Sequence, residues 1–228
     1  MSNLEFKRQS VSDVAYNDIK KKIIDLDYKP GQSLSEEMLT NELNISRTPL
    51  RQALHRLELE GLINRRANGR IAVASVTIEE AEEVFKVREM LEGLIAREAA
   101  EHITDEQSDK LEEVLFIMER AAEKGKNTSL IRHGSEFHHI LYTAGKNETA
   151  VRFLEQINSR IERYRRLGGF LNPKYVPMLP VQEHRNIFNC IREHHLDEAE
   201  KAMRAHIRRS LELTKKTLQY YLDQNDFC

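Results

Sequence analysis

Thiols are scarce in this chain. Two cysteines, Cys190 and Cys228, are all that its 228 residues contain, too few for a disulfide framework and suited to a reducing cytosol. The opening MSNLEFKRQS lacks the hydrophobic core of a signal peptide. No apolar run approaches the roughly 20 residues that a membrane-spanning helix needs. Charge of one sign is lacking too, since 35 Lys+Arg face 37 Asp+Glu for a net charge of −2. Any surface for nucleic acid must therefore be local. Residues 1–76 hold 12 basic against 10 acidic side chains, net +2, and the remainder holds 23 against 27, net −4. What is present, 40% hydrophobic and 32% charged residues, suits a helix-rich globular protein of one large or two modest domains.

The most informative stretch is SRTPLRQALHRLELEGLI, starting at Ser46. A hydroxyl residue, an early proline and an apolar stripe at Leu50, Ala53, Leu54 and Leu57 describe a helix that starts with a cap and buries one side. Arg47 and Arg51 stand at i and i+4 and project together near its N-terminal end. That is the part of a recognition helix that meets base edges and phosphates in the major groove. Most helices with two arginines are merely solvated, so the neighbouring elements decide. Val11–Leu26 has a helical period, Tyr28-Lys29-Pro30-Gly31 is a stop and turn, and Ser35 caps a short helix with Met38, Leu39 and Leu43 inward. Asn44-Ile45-Ser46 turns tightly into the arginine-bearing helix, which makes a helix-turn-helix. After Gly61 the period changes. Leu62–Arg66 and Arg70–Ala74 read as strands around Ala67-Asn68-Gly69, a hairpin signal. The hairpin carries Arg65, Arg66 and Arg70, which can grip phosphates or follow a minor groove. Arginines on a hairpin can also serve only to keep an edge strand from aggregating; beside the arginine helix, a DNA-binding wing is the stronger reading.

From Thr77 onward the period is helical almost throughout. Six helices are expected, at about 78–101, 105–123, 127–144, 147–168, 177–195 and 197–224, forming an all-α bundle. Gly168–Pro173 is the best candidate for a flexible loop. Polar residues on the apolar stripes stand out. Arg88 lies on Val84–Arg88–Leu91–Ile95, and a buried arginine needs an anionic partner. His138, His184 and His206 each sit on the inward stripe of a different helix. One such histidine is more often an ordinary core residue, but three together suit zinc, nickel, copper or iron(II). His139, His194 and His195 flank these stripes, while His55, His102 and His133 belong to no constellation, so all six read as surface or local residues.

The chain resembles the GntR family of bacterial transcription regulators through Pro30-Gly31, Leu34-Ser35-Glu36, Leu43, the run from Ser46 and the Asn68-Gly69 wing. The resemblance implies DNA contacts from Ser46, Arg47, Thr48 and Arg51, with Gly69 at the wing tip. Gln52 stands where the family usually has glutamate. Glu37 stands where fatty-acid-responsive members have a DNA-contacting arginine, which implies a different operator. The bundle is similar to the FCD domain of the FadR-like branch through Val87-Arg88-x-x-Leu91-Glu92, Phe137-His138, Gly145-x-Asn147, Glu183-His184 and Met203-Arg204-Ala205-His206. In such domains three histidines, and a carboxylate or amide four residues before the first, hold a divalent metal beneath a small organic acid. His138, His184 and His206 match by position; the fourth position is Gly134, which cannot ligate.

The expectation is thus a mainly α protein, with a winged helix-turn-helix over 1–76 and an effector-binding and dimerisation bundle over 77–228. Its function would be that of a cytoplasmic, homodimeric regulator, a repressor at a near-palindromic operator. A carboxylate effector would meet Arg88 next to a divalent ion, zinc or nickel, on His138, His184 and His206. Two alternatives stay open: a sensor for which the ion itself is the signal, and a three-histidine metalloenzyme. No HExxH-like pattern accompanies the histidines, and an enzyme gives no reason for a complete winged helix.

Overall fold

The computed structural model describes residues 9–66, 70–170 and 176–224, with the side chains of 168–170 and 224 set aside. Gly69, its neighbours Ala67 and Asn68, and Cys228 lie outside the described residues. The chain divides into two compact units, Met1–Val76 and Thr77–Cys228.

The first unit contains α1 (Val11–Ile24), β1 (Ser33–Leu34), α2 (Glu36–Leu43), α3 (Arg47–Leu59), β2 (Ile63–Arg65) and β3 (Ile71–Val73). Ser10 and Asp13 form a capping box at the start of α1. Ser35 accepts the Met38 N–H at 3.0 Å to start α2, and Asn44 ends it in a left-handed conformation that asparagine tolerates. Ile19, Ile23, Leu39, Leu50, Leu54, Leu57 and Leu62 pack into one apolar core. Met38, expected on the inner face of α2, is instead exposed. The three strands pair antiparallel in the order β1-β3-β2, with Ser33 opposite Ala72 and Ile63 opposite Val73. β3 is therefore central, where a two-stranded hairpin was expected. Gly31 adopts φ +76°, and its N–H donates to the Val73 carbonyl at 3.0 Å, so the turn after α1 is itself tied to the wing.

The second unit contains α4 (Ile78–His102), α5 (Asp105–Glu123), α6 (Asn127–Ala144), α7 (Glu148–Phe170), α8 (Met178–Arg192) and α9 (Leu196–Gln224). Thr77 caps α4 and Thr104 caps α5 with side-chain hydrogen bonds, as hydroxyls at these positions should. Among the described residues this unit has no strand. α4 packs most extensively on α9, and Phe85, Leu115, Phe137, Phe188 and Ile207 fill the bundle interior. The loop expected from Gly168 does not begin there, because α7 continues through Gly168 and Gly169 to Phe170; positions 171–173 of that expectation lie outside the described residues.

Candidate nucleic-acid interface and metal centre

Ser46 occupies the N-cap position of α3, but its side chain makes no capping hydrogen bond. Its hydroxyl is exposed together with Arg47, Thr48 and Arg51. No acidic residue occupies the first turn of α3, so the positive end of the helix dipole faces outward beside two arginines, an arrangement suited to phosphate. Arg51 Nε donates to both carboxylate oxygens of Glu36, at 3.1 and 3.0 Å. Arg65 Nε donates to Glu58 Oε2 at 3.3 Å, and its Nη1 lies 4.0 Å from Glu36. Glu36 thus stands between the helix and the wing. Sequence reasoning used Glu36 only as a motif residue, because its contact to Arg51 crosses 15 positions. The Arg66 N–H donates to the Arg70 carbonyl at 2.8 Å and closes the wing. Both side chains are exposed.

Changing Arg65, Arg66 and Arg70 together to alanine is expected to weaken binding to every DNA sequence and to flatten its salt dependence, by about 0.9 for each phosphate that the wing no longer neutralises. Fluorescence anisotropy across a salt series checks this. A change confined to sequence preference, with the slope intact, would show a wing that reads bases.

In the bundle, α6, α8 and α9 bring His138, His184 and His206 together, and one ring nitrogen of each lies within 4.8 Å of the others. All three are buried. Each Nδ1 faces an oxygen: His138 contacts Glu92 Oε2, His184 lies 2.6 Å from the Pro180 carbonyl, and His206 lies 2.8 Å from Glu183 Oε2. A proton on each Nδ1 satisfies these acceptors and leaves the Nε2 lone pairs to converge. His138 Nε2 and His184 Nε2 are 3.3 Å apart. Two lone pairs at that distance repel, and a cation between them removes the conflict. Tetrahedral zinc at its usual Zn–N length would separate two nitrogens by about 3.4 Å. Oxygen partners on the far ring nitrogens are the usual outer support of metal-ligating histidines. The donor set fits a divalent ion.

Two sequence expectations change here. With Gly134 at the fourth position no carboxylate was expected at the centre, yet Glu92 and Glu183 contact two of its histidines. Glu183 precedes His184 in sequence but reaches His206 on α9 and also pairs with Arg209. Arg88 was assigned to the effector, but its anionic partner is internal. Its Nε donates to Glu92 Oε1 at 2.6 Å, and its Nη2 lies 3.4 Å from His138 Nε2. Tyr142 also donates to Glu92 Oε1, at 3.1 Å. One turn of α4 places Glu92 over Arg88 and pairs its charge, while Arg88 Nη1 is buried without a hydrogen-bond partner among the described residues. The adjoining cavity, of about 60 Å³, is lined by His184, His206, Arg165, Arg209 and their neighbours, and Arg88 is outside that lining. His133 is buried and bonded to the Ser129 carbonyl, and so is local, whereas His139, His194 and His195 are exposed.

Electrostatics follow from this burial. Burial opposes ionisation of Glu92, but Arg88 and His138 hold its carboxyl well below the usual range. Burial lowers His138 to about 4 even though Glu92 pulls the other way. Burial, then the neighbouring histidines, drive His184 and His206 well below their ordinary value. The metal-free protein therefore folds around three neutral imidazoles. Below the unfolded histidine value of about 6.5 the unfolded chain takes up protons that the folded chain refuses, so stability falls with pH. Glu92, depressed in the folded state, adds a further loss below its ordinary carboxylate value. The melting temperature of metal-free protein should be constant above about pH 7 and should fall steadily towards pH 5. A flat profile across that window would mean that the histidines are protonated in the fold.

Comparison with known proteins settles the family. The description "Bacterial regulatory proteins, gntR family" matches residues 11–73, and that of the FCD domain matches residues 83–209. The chain belongs to the GntR family. Among its relatives, the HTH-type transcriptional regulator YdhC of Bacillus subtilis is 29% identical over 205 residues, covering 90% of this chain and 91% of its own. The HTH-type transcriptional repressor RspR of Escherichia coli is 26% identical over 212 residues, 92% of each chain. The solved structure of E. coli McbR/YncC superposes with a TM-score of 0.78 at 21% identity, over 93% of this chain and all of that one. This GntR-family chain is a DNA-binding transcriptional regulator with an FCD domain, and its relatives are regulators rather than enzymes. No helix among the described residues is long and apolar enough to cross a membrane.

Proposed function

We propose that this regulator represses transcription from the cytoplasm as a homodimer, with each winged helix, within 1–76, seated on one half of a near-palindromic operator. Ser46, Arg47, Thr48 and Arg51 contact the major groove, and Arg65, Arg66 and Arg70 grip the flanking backbone, with Gly69 at the wing tip. Residues 77–228 dimerise and bind a small carboxylate above a divalent ion, zinc or nickel, held by His138, His184 and His206. The observation that carries this reading is the convergence of one ring nitrogen from each of three buried histidines whose Nδ1 partners are all oxygens. Repression is supported by the likeness to RspR, a repressor related along nearly the whole chain.

A divalent ion at the triad supplies positive charge to an anion that enters the cavity. Glu92, the Pro180 carbonyl and Glu183 orient the three rings and keep Nδ1 protonated. The carboxylate alters operator affinity by the difference in its own affinity for the two dimer geometries. Elemental analysis of the purified protein, followed by gel shifts with and without chelator and small carboxylates, tests the reading. One ion per chain and operator affinity that responds to carboxylate only in the metal-loaded protein are expected. Metal-free wild-type protein with a full carboxylate response would remove the ion from the mechanism. Operator affinity that tracks the ion and ignores carboxylates would make the ion the signal.

A further inference from the structure

Gly134 opens the wall of the cavity, and an arginine fills the opening. A Cβ built on residue 134 would lie 3.0 Å from Arg165 Nη2, the end of a side chain from α7. Arg165 Nη1 donates to Ser135 Oγ at 2.9 Å, and the guanidinium lines the same cavity as His184 and His206. The cavity wall holds one other arginine, Arg209, which Glu183 neutralises. Arg88, behind the triad, is neutralised by Glu92. Among the described residues no carboxylate is in ion-pair contact with Arg165, whose positive charge is left to a ligand.

With a divalent ion on the triad, this cation makes the wall one that favours an anionic ligand. Met118 and Leu213 supply apolar surface, and Ser210 and Thr214 supply hydroxyls. Since a cavity of roughly 150 Å³ takes benzene, one of about 60 Å³ restricts the effector to a small molecule. We propose that Arg165, in the space that Gly134 leaves, anchors the effector, and that the effector is a small carboxylate whose carboxylate group lies between the guanidinium and the histidine triad. The proposal rests on the reading that the bundle binds a small carboxylate, and it replaces Arg88 by Arg165 as the anchoring residue. It also gives the glycine a reason. A side chain at 134 would push the guanidinium out of the space, and an acidic one would neutralise it.

Isothermal titration of zinc-loaded protein with acetate, propionate and L-lactate, and with uncharged propionamide as control, tests it. Wild type should bind at least one of the acids and should not bind propionamide. Arg165→Gln should weaken that acid at least about tenfold, the cost of a lost charge-assisted hydrogen bond. Zinc affinity, read separately by competition with a chelator, should be unchanged or tighter, because a neighbouring cation has gone. Gly134→Asp, which serves even if Arg165→Gln fails to fold, should lose the acid and tighten zinc. Wild-type binding that Arg165→Gln or Gly134→Asp leaves intact would overturn the anchor while the carboxylate-responsive reading stands. A wild-type protein that binds zinc and none of the acids overturns both.

Discussion

Arg47→Ala and Arg51→Ala are each expected to weaken specific operator binding by roughly 5- to 150-fold while leaving the melting temperature within about a degree of wild type. Each arginine can supply roughly 1–3 kcal/mol of base or phosphate contact. Neither supports the core, since both are exposed. The two should differ. Arg51→Ala removes the nearer cation on Glu36 and leaves its carboxylate with only the more distant Arg65 at 4.0 Å, so it should cost more than Arg47→Ala. Changing Glu36→Gln in the Arg51→Ala background should recover part of that difference. Anisotropy with an operator fragment, together with thermal melts, decides it. Operator affinity unchanged in both single variants would sink the recognition-helix assignment.

Arg88→Ala is expected to cost about 3–5 kcal/mol of stability, because it leaves the buried carboxylate of Glu92 without its cation. For a chain of this size that corresponds to a fall in melting temperature of roughly 6–20 °C. Arg88 and Glu92 are each 1% exposed, so water cannot take over the missing interaction. Arg88→Met combined with Glu92→Gln, which removes both charges together, should recover most of the loss. Differential scanning calorimetry of the metal-free variants measures the effect. An Arg88→Ala protein that melts like wild type would return Arg88 to the role of a free anion-binding residue.

Most of the architecture was legible because local signals agreed with one another. The stripe Leu50, Ala53, Leu54, Leu57 fixed the inward face of α3, and Ser35, Thr77 and Thr104 are hydroxyl residues that do cap helices. β1 was missed because two residues carry no alternation and gain their strand character only by pairing with β3. The extension of α7 was missed because paired glycines read as a break, although glycine's preference against helix is only about 1 kcal/mol per residue. In the candidate centre, the histidines were legible from period alone. Their partners were not. Glu92 and His138 are 46 positions apart, Gly134 and Arg165 are 31 apart, and only helix packing brings each pair together. Glu183 misled by adjacency, since it neighbours His184 in sequence and His206 in space.

Glu36 gives the DNA-facing surface an internal counterion. A bare arginine on such a surface condenses no partner of its own, and phosphate binding then releases small cations from DNA in proportion to the phosphates neutralised. Arg51 starts instead with a carboxylate in hydrogen-bond contact, and Arg65 has Glu58 in contact and Glu36 within 4.0 Å. To engage phosphate they must exchange one anion for another, and each exchange returns a negative charge to the interface. Sites of random sequence, which offer phosphate without base contacts, gain least from the swap. A well-placed operator, which adds hydrogen bonds to bases, gains enough to complete it. At the proposed interface the acidic residue therefore sets a threshold, an equal cost at every site that only a site with base contacts offsets.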